Sequence, residues 1–308
     1  MFPNHTLLTA LLFCFTGLAS ASAFEQPQIY QLKPKDTVLV IGDSTTADGL
    51  KPAGYVRLVE QALSEQIPDQ DVGISGLGYP MKTTAILDGQ IANVKKLLEK
   101  GNGPTVVIIN LGLNDSKAKE KGVDSFTENL RKAIGELQAM KVAAIICAPT
   151  TWGGLTQTKP YAEAARALAT ETKCLLIDLY AVHADHIVAN TKDGKLLPGT
   201  DPTRDGTHLN GIGETLSAGA VLQAFGLKPV WKEYQLRTMS RDQGKITIDP
   251  DLPFYEPGAK ITLTAIPADG EFFKFWSGDH QGSEAKTTVT MDRHRIIITK
   301  FLPISEKK

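Results

Sequence analysis

The sequence has little cysteine, with only three such residues in 308. One of them, Cys14, lies in an apolar N-terminal run and lacks a lipobox-like context. The other two, Cys147 and Cys174, fall near the end of one predicted strand and at the start of the next. In neighbouring parallel strands those ends lie too far apart for a disulfide, which requires a short Cα separation. We therefore expect two buried, unpaired thiols.

An excess of charge of either sign is also missing, since the formal net charge is -1. Such a chain has no global field that would attract nucleic acid or an anionic membrane surface, so neither partner is expected. The apolar run Leu7–Leu18 falls short of the about 20 residues that a membrane-spanning helix needs. Small residues follow it at Ala19–Ala23, a combination typical of a signal peptide. We expect residues 1–23 to be removed and the mature protein to be secreted or periplasmic.

Residues 24–227 alternate short apolar runs with amphipathic stretches. The predicted strands are Thr37–Ile41, Asp71–Ser75, Thr105–Asn110, Val142–Ala148 and Cys174–Leu179. Most of them are rich in Val and Ile without polar alternation, as expected when both faces of a sheet are covered. Helical patterns lie between them and after the last one. This alternation predicts a flavodoxin-like three-layer α/β/α fold around a parallel five-stranded sheet, with strand order 2-1-3-4-5.

The pattern changes after residue 227. Residues 228–243 show little periodicity and are expected to be a linker. Residues 244–303 contain short β runs separated by turn residues such as Asp249-Pro250-Asp251, which predicts a small all-β domain. Residues 304–308 are expected to be a tail.

Residues with side chains or backbone groups that could take part in catalysis follow the strands of the first domain, and we expect them to lie at one edge of the sheet. Ser44 follows the first strand, Gly76 the second and Asn114 the third. Asp205 and His208 come just before the last helix. Taken singly, each of these residues could have an ordinary structural role, in a turn, as a helix cap or on the surface. Because open α/β sheets place their ligand crevice at the carboxyl ends of the strands, we expect all of them to share one site.

These blocks resemble those of the SGNH, or GDSL-type, hydrolases: Ser44 in IGDSTT, Gly76 in GISGLG, Asn114 in LGLND and His208 in DGTHLN. The resemblance spans about residues 36–225. It implies a serine esterase with Ser44 as nucleophile, His208 as general base and Asp205 as the group that orients the imidazole. It also implies an oxyanion hole made of the backbone N–H groups of Ser44 and Gly76 and the side-chain amide of Asn114. Neither a metal nor an organic cofactor is required for this chemistry.

The first block reads GDST, a variation that resembles secreted carbohydrate acetylesterases. We therefore expect a short acyl group such as acetyl, carried by a carbohydrate. Two alternatives stay open. One is a lipid hydrolase similar to a lysophospholipase or thioesterase, and the other is a non-catalytic envelope or glycan-binding protein built on a hydrolase fold.

Four further side chains adjoin the expected site. Asp43 and Asp115 should hold their loops by accepting hydrogen bonds from backbone N–H groups. Trp152, after the fourth strand, is a candidate for stacking on a sugar ring or for covering the core. Arg204, beside the triad, is a candidate contact for an acidic group of the substrate, or is simply solvated.

The second domain resembles the internalin-type B-repeat modules of bacterial surface and secreted proteins, through the run YEPGAKITLTAIPADGEFFKFWSGD and the later TTVTMDRHRIIITKFLP. Trp276 is expected in its core. The resemblance implies either a spacer or a module that contacts glycan or the cell envelope, with the first domain carrying catalysis alone.

Overall fold

The structure is a computed structural model that describes residues 29–240 and 242–307. The expected signal peptide lies outside the described residues. Among those that are described, no helix is both long and apolar enough to cross a membrane.

The first domain is built on a five-stranded parallel sheet in the order β2-β1-β3-β4-β5. Its strands are β1 Thr37–Gly42, β2 Gly73–Gly78, β3 Val106–Asn110, β4 Ala143–Ala148 and β5 Leu175–Asp178. The helices are α1 Ser44–Gly49, α2 Tyr55–Gln66, α3 Leu87–Glu99, α4 Val123–Ala139, α5 Lys159–Thr172, α6 Leu179–Ala189 and α7 Gly211–Ala224. A short hairpin, β6 Thr191–Lys192 and β7 Lys195–Leu196, precedes the segment that leads to α7. The predicted fold and strand order are confirmed.

Helices cover both faces of the sheet, and successive side chains of a strand point to opposite faces, so both sets of side chains are buried. In β1, Leu39 and Ile41 pack into the core formed with α3, α4 and α5. Val38 and Val40 pack into the other core, formed with α2 and α7. This explains why the strands read as continuous apolar runs. Cys147 and Cys174 are buried and unpaired, as predicted.

The second domain contains two three-stranded sheets, β12-β10-β9 and β11-β13-β8. Its strands are β8 Leu236–Ser240, β9 Gly244–Asp249, β10 Lys260–Pro267, β11 Glu271–Gly278, β12 Lys286–Thr290 and β13 Arg295–Pro303. Trp276 is 2% exposed and lies in the core between the sheets, as predicted. The linker prediction needs a correction, because β8 falls within residues 228–243 and pairs in parallel with β13. The expected linker therefore supplies a strand of the second domain.

Buried polar contacts join the two domains. The side chain of Gln235, just before β8, accepts from the Ala53 N–H at 2.8 Å and donates to Gln61 Oε1 at 2.8 Å. Asp279 Oδ2 accepts from the Gly211 N–H, at the first turn of α7, at 2.7 Å. The second domain is thus bonded to the segment between α1 and α2 and to α7. The segment before α7, residues 198–210, carries the expected triad residues Asp205 and His208 and is named the triad segment.

Candidate active site

Ser44 is the first residue of α1, directly beyond the carboxyl end of β1. Asp43 caps this helix, since its Oδ1 accepts from the backbone N–H and the hydroxyl of Thr45, both at 2.9 Å. A side chain at Gly42 would collide with Thr46, so glycine is needed there for α1 to lie this close to the strand. The sharp turn leaves Ser44 half-buried at the sheet edge.

Asp205 and His208 lie together in the segment that precedes α7. His208 Nδ1 is 3.1 Å from Asp205 Oδ2, and the His208 backbone N–H donates to Asp205 Oδ1 at 2.8 Å. Burial opposes ionisation of Asp205, but the hydrogen bonds from His208 lower the pKa of this carboxyl below its ordinary value. Asp205 is therefore a carboxylate at neutral pH, which fixes the imidazole tautomer with its proton on Nδ1. Nε2 is then the nitrogen that can accept a proton.

The turn that carries Ser44 and the turn that carries Asn114 are in direct contact. Asn114 Nδ2 donates to the Lys82 carbonyl at 3.1 Å and lies 3.4 Å from Asp43 Oδ2. The structure thus brings Asn114 to the residue that precedes Ser44.

Asp43 and Asp115 hold loops, as predicted. Asp115 Oδ1 accepts from the Thr84 backbone N–H at 3.1 Å and from its hydroxyl at 2.6 Å. Burial raises the pKa of both carboxyls. Asp115 therefore ties the loop after β2 to the loop after β3, next to Asn114.

The placement of Gly76 in a loop is wrong. Gly76 lies inside β2, opposite Val40, whereas the last pair of this ladder is Gly78 opposite Gly42. A side chain at Gly78 would collide with the backbone of Ala47 in α1, so this glycine lies directly against α1. The position at the sheet edge belongs to Gly78, and no sequence signal distinguished it from the other glycines of GISGLG.

Arg204 does not lie free to meet a substrate. Its side chain is 4% exposed and forms an ion pair with Asp48 of α1. Its Nη1 donates to the Leu209 carbonyl at 2.8 Å, and its backbone N–H donates to the His208 carbonyl at 2.9 Å. The expected substrate contact is therefore corrected, because Arg204 instead connects α1 to the triad segment.

The second domain adds a second cation to this ion pair. Arg237 of β8 donates to Asp48 Oδ1 at 3.1 Å, with 7% of its side chain exposed. Burial opposes ionisation of Asp48, but hydrogen bonds from Arg204 and Lys51 hold its pKa well below the usual range. Nothing in the sequence indicated a role for Arg237, because its partner Asp48 lies far away along the chain.

Trp152 is half-buried in the loop after β4. This loop touches the triad segment, because the Gly153 N–H donates to the Gly206 carbonyl at 2.9 Å. Lys117 Nζ lies 5.4 Å from the centre of the indole ring. The ring thus keeps an exposed part beside the candidate site.

The arrangement contains the groups that acyl transfer uses: a hydroxyl at a sharp turn, an imidazole with its tautomer set by a carboxylate, and an amide donor that contacts the residue before the hydroxyl. No group of three or more His, Cys, Asp or Glu side chains among residues 29–240 and 242–307 is arranged to hold a metal ion.

Two family descriptions match the chain. Residues 40–216 match the GDSL-like Lipase/Acylhydrolase family, which covers more than half of the chain, and residues 234–305 match the Divergent InlB B-repeat domain. No curated protein sequence matches.

Several solved structures are similar to the first domain. One is the acetyl xylan esterase AlAXEase, at 25% identity and a TM-score of 0.54, covering 61% of this chain and 98% of that one. Another is Axe2, an acetyl-xylooligosaccharide esterase from Geobacillus stearothermophilus, at 21% identity and a TM-score of 0.55, covering 65% and 99%. A third is LAE5, an alpha/beta hydrolase from the metagenome of Lake Arreo, at 18% identity and a TM-score of 0.51, covering 63% and 97%. The likeness to the last two is one of fold.

Proposed function

Since this chain belongs to the GDSL-like lipase/acylhydrolase family and is a carboxylic ester hydrolase, we propose that it removes a short acyl group, acetyl, from a carbohydrate through an acyl-enzyme on Ser44. The observation that carries the proposal is the His208–Asp205 pair, at 3.1 Å, on a segment tied to the nucleophile helix by Arg204. The identity of the substrate is supported by the similarity to an acetyl xylan esterase.

The chemistry runs in two halves. His208 Nε2 takes the proton of Ser44 Oγ as this oxygen attacks the ester carbonyl, and Asp205 stabilises the imidazolium that forms. The proton then passes to the leaving alcohol, and the acyl group stays on Ser44. A water molecule, deprotonated by His208, attacks the acyl-enzyme and releases the acid and the free serine.

The negative charge on the tetrahedral oxygen needs donors at the sheet edge. We propose the Ser44 N–H, the Asn114 amide and the Gly78 N–H, with Gly78 taking the role first expected for Gly76. A donor of this kind contributes about 3–4 kcal/mol in the transition state. Trp152 is proposed as a platform for the sugar ring, because its exposed part lies on a loop bonded to the triad segment.

The test compares p-nitrophenyl acetate with p-nitrophenyl octanoate, followed by acetate release from acetylated xylan. We expect a higher kcat/KM for acetate than for octanoate, release of acetate from the polysaccharide, and loss of all three activities in Ser44→Ala. A preference for octanoate would favour the lipid hydrolase. Equal rates for the wild-type protein and Ser44→Ala would refute the nucleophile.

A further inference from the structure

A cleft of about 580 Å³ lies between the triad segment and the second domain. One wall comes from residues 198–210 and includes Asp205, and the other comes from residues 277–281 together with Arg293. Its volume falls within the about 300–1,000 Å³ that ligand sites occupy. Because Asp205 lines this cleft and is also bonded to His208, the cleft lies beside the Asp205–His208 pair and extends onto the second domain.

Two buried polar atoms of the cleft residues have no hydrogen-bond partner among the described residues: Asp279 Oδ1 and Arg293 Nε. Arg293 Nη2 is 4.0 Å from Asp279 Oδ1, a distance beyond a hydrogen bond. Asp279 is 8% exposed and is held in place through its other oxygen, which accepts from the Gly211 and Ile296 N–H groups, each at 2.7 Å. Buried polar atoms are normally paired, so this fixed acceptor and its neighbouring donor are candidate contacts for a ligand group.

The chemistry of the pair selects the ligand. A hydroxyl donates to a carboxylate oxygen and accepts from a guanidinium, so neighbouring hydroxyls of a sugar fit an acceptor and a donor held side by side. The cleft also mixes signs, because the guanidinium of Arg293 lies in it together with the carboxylates of Asp201, Asp205 and Asp279, while Arg204 is already paired with Asp48. A polyanion or a polycation would meet repulsion along part of its length, and a neutral sugar chain would not.

We propose that this interdomain cleft is a subsite for a neutral oligosaccharide, and this inference rests on the proposed function. The cleft holds the part of the sugar chain next to the sugar unit whose ester is cleaved. The second domain then belongs to the substrate site. Arg293 and Asp279 determine the preference for esters carried on a chain over small isolated esters.

Binding tests this proposal separately from hydrolysis. Xylohexaose is titrated calorimetrically against the full chain carrying Ser44→Ala, alone and combined with Arg293→Ala or with Lys260→Ala. Lys260 is the matched control, since it is an exposed cation of the same domain outside the cleft. We expect Arg293→Ala to weaken the Kd about tenfold and Lys260→Ala to leave it within twofold. Equal Kd values for the two variants, or tighter binding of an anionic oligogalacturonide, would overturn the subsite.

Turnover gives the second readout. In the protein with Ser44 intact, Arg293→Ala should lower the ratio of kcat/KM on acetylated xylooligosaccharide to kcat/KM on p-nitrophenyl acetate about tenfold, through KM. An unchanged ratio would contradict the subsite. A wild-type protein that hydrolyses neither ester would instead refute the proposed function, and the Kd comparison would still decide the cleft.

Discussion

Replacing Arg237 with methionine should both destabilise the protein and slow catalysis. Arg237 belongs to the second domain, yet its guanidinium binds Asp48 in the helix that begins with Ser44. Only 7% of the Arg237 side chain and 12% of the Asp48 side chain are exposed, so solvent screens this ion pair little. Methionine keeps most of the length of the side chain and removes the charge.

The magnitude follows from what remains around Asp48. Removing one partner of a buried ion pair costs about 3–5 kcal/mol when the other is left alone. Asp48 retains Arg204 and Lys51, so we expect a loss of about 2–3 kcal/mol in the free energy of unfolding. Because Arg204 also holds the His208 carbonyl, a shift of the loosened pair should move the triad segment. We expect kcat to fall about tenfold, as small misplacements of catalytic groups do.

The assay combines urea unfolding with steady-state hydrolysis of p-nitrophenyl acetate. Lys51→Met is the matched control, because it removes a charge that lies 2.9 Å from the same carboxylate but is 53% exposed. An exposed pair contributes less than about 1 kcal/mol. If Arg237→Met costs no more free energy of unfolding than Lys51→Met, the reasoning about the buried interface is refuted.

Three other changes have expected outcomes. Gly78→Ala should lower kcat/KM on p-nitrophenyl acetate at least about tenfold, because the added methyl group pushes on α1. Gly76→Ala should stay within about twofold, because its methyl group is tight only against the flexible Leu50 side chain, at 3.1 Å, and meets the Val40 carbonyl at an ordinary 3.4 Å. The reverse order would contradict the assignment of Gly78. Asn114→Ala should lower kcat by about 10²–10³ with KM little changed, and a change confined to KM would argue against an oxyanion donor. Burial raises the pKa of Glu214 to about 8, so the folded protein keeps a proton that the unfolded chain releases above about pH 4.3. This contribution to the free energy of unfolding is complete at lower pH and is lost as pH rises towards 8, by at most about 1.4 kcal/mol per pH unit. The free energy of unfolding in urea, measured across this pH range, should vary less with pH for Glu214→Gln than for the wild-type protein. Identical pH profiles would contradict the raised pKa of Glu214.

Local patterns were enough to predict most of the fold. The runs that became β1 and β3 are dense in β-branched residues, and the run that became β4 is apolar throughout. Their burial on both faces leaves little ambiguity. The strand β2 is different, because its sequence GISGLG has three glycines and little apolar content. Its boundary was predicted too early along the chain, and that shift put Gly76 in a loop. The helix α6 went unpredicted because it is apolar on most sides and shows no amphipathic period.

Candidate site residues could be chosen from the sequence only where one residue type sufficed, and their catalytic roles stay predictions. Ser44, Asn114, Asp205 and His208 stand out by their chemistry and by the strands they follow. The roles of Arg204 and Arg237 depend on a contact with Asp48 that joins three distant parts of the chain. For the same reason the sequence suggested that the first domain acts alone. The interface contacts of Arg237 and Asp279 lead us to expect that removing residues 244–308 would instead disturb the triad segment.

The most direct test of the account is to locate the nucleophile with diisopropyl fluorophosphate and mass spectrometry. The reagent phosphorylates a serine only when a neighbouring base activates it. We predict a single adduct on the peptide that contains Ser44, formed in parallel with loss of esterase activity, absent in Ser44→Ala and strongly slowed in His208→Ala. An adduct on another serine, or full esterase activity in Ser44→Ala, would contradict the assignment of Ser44 as the nucleophile.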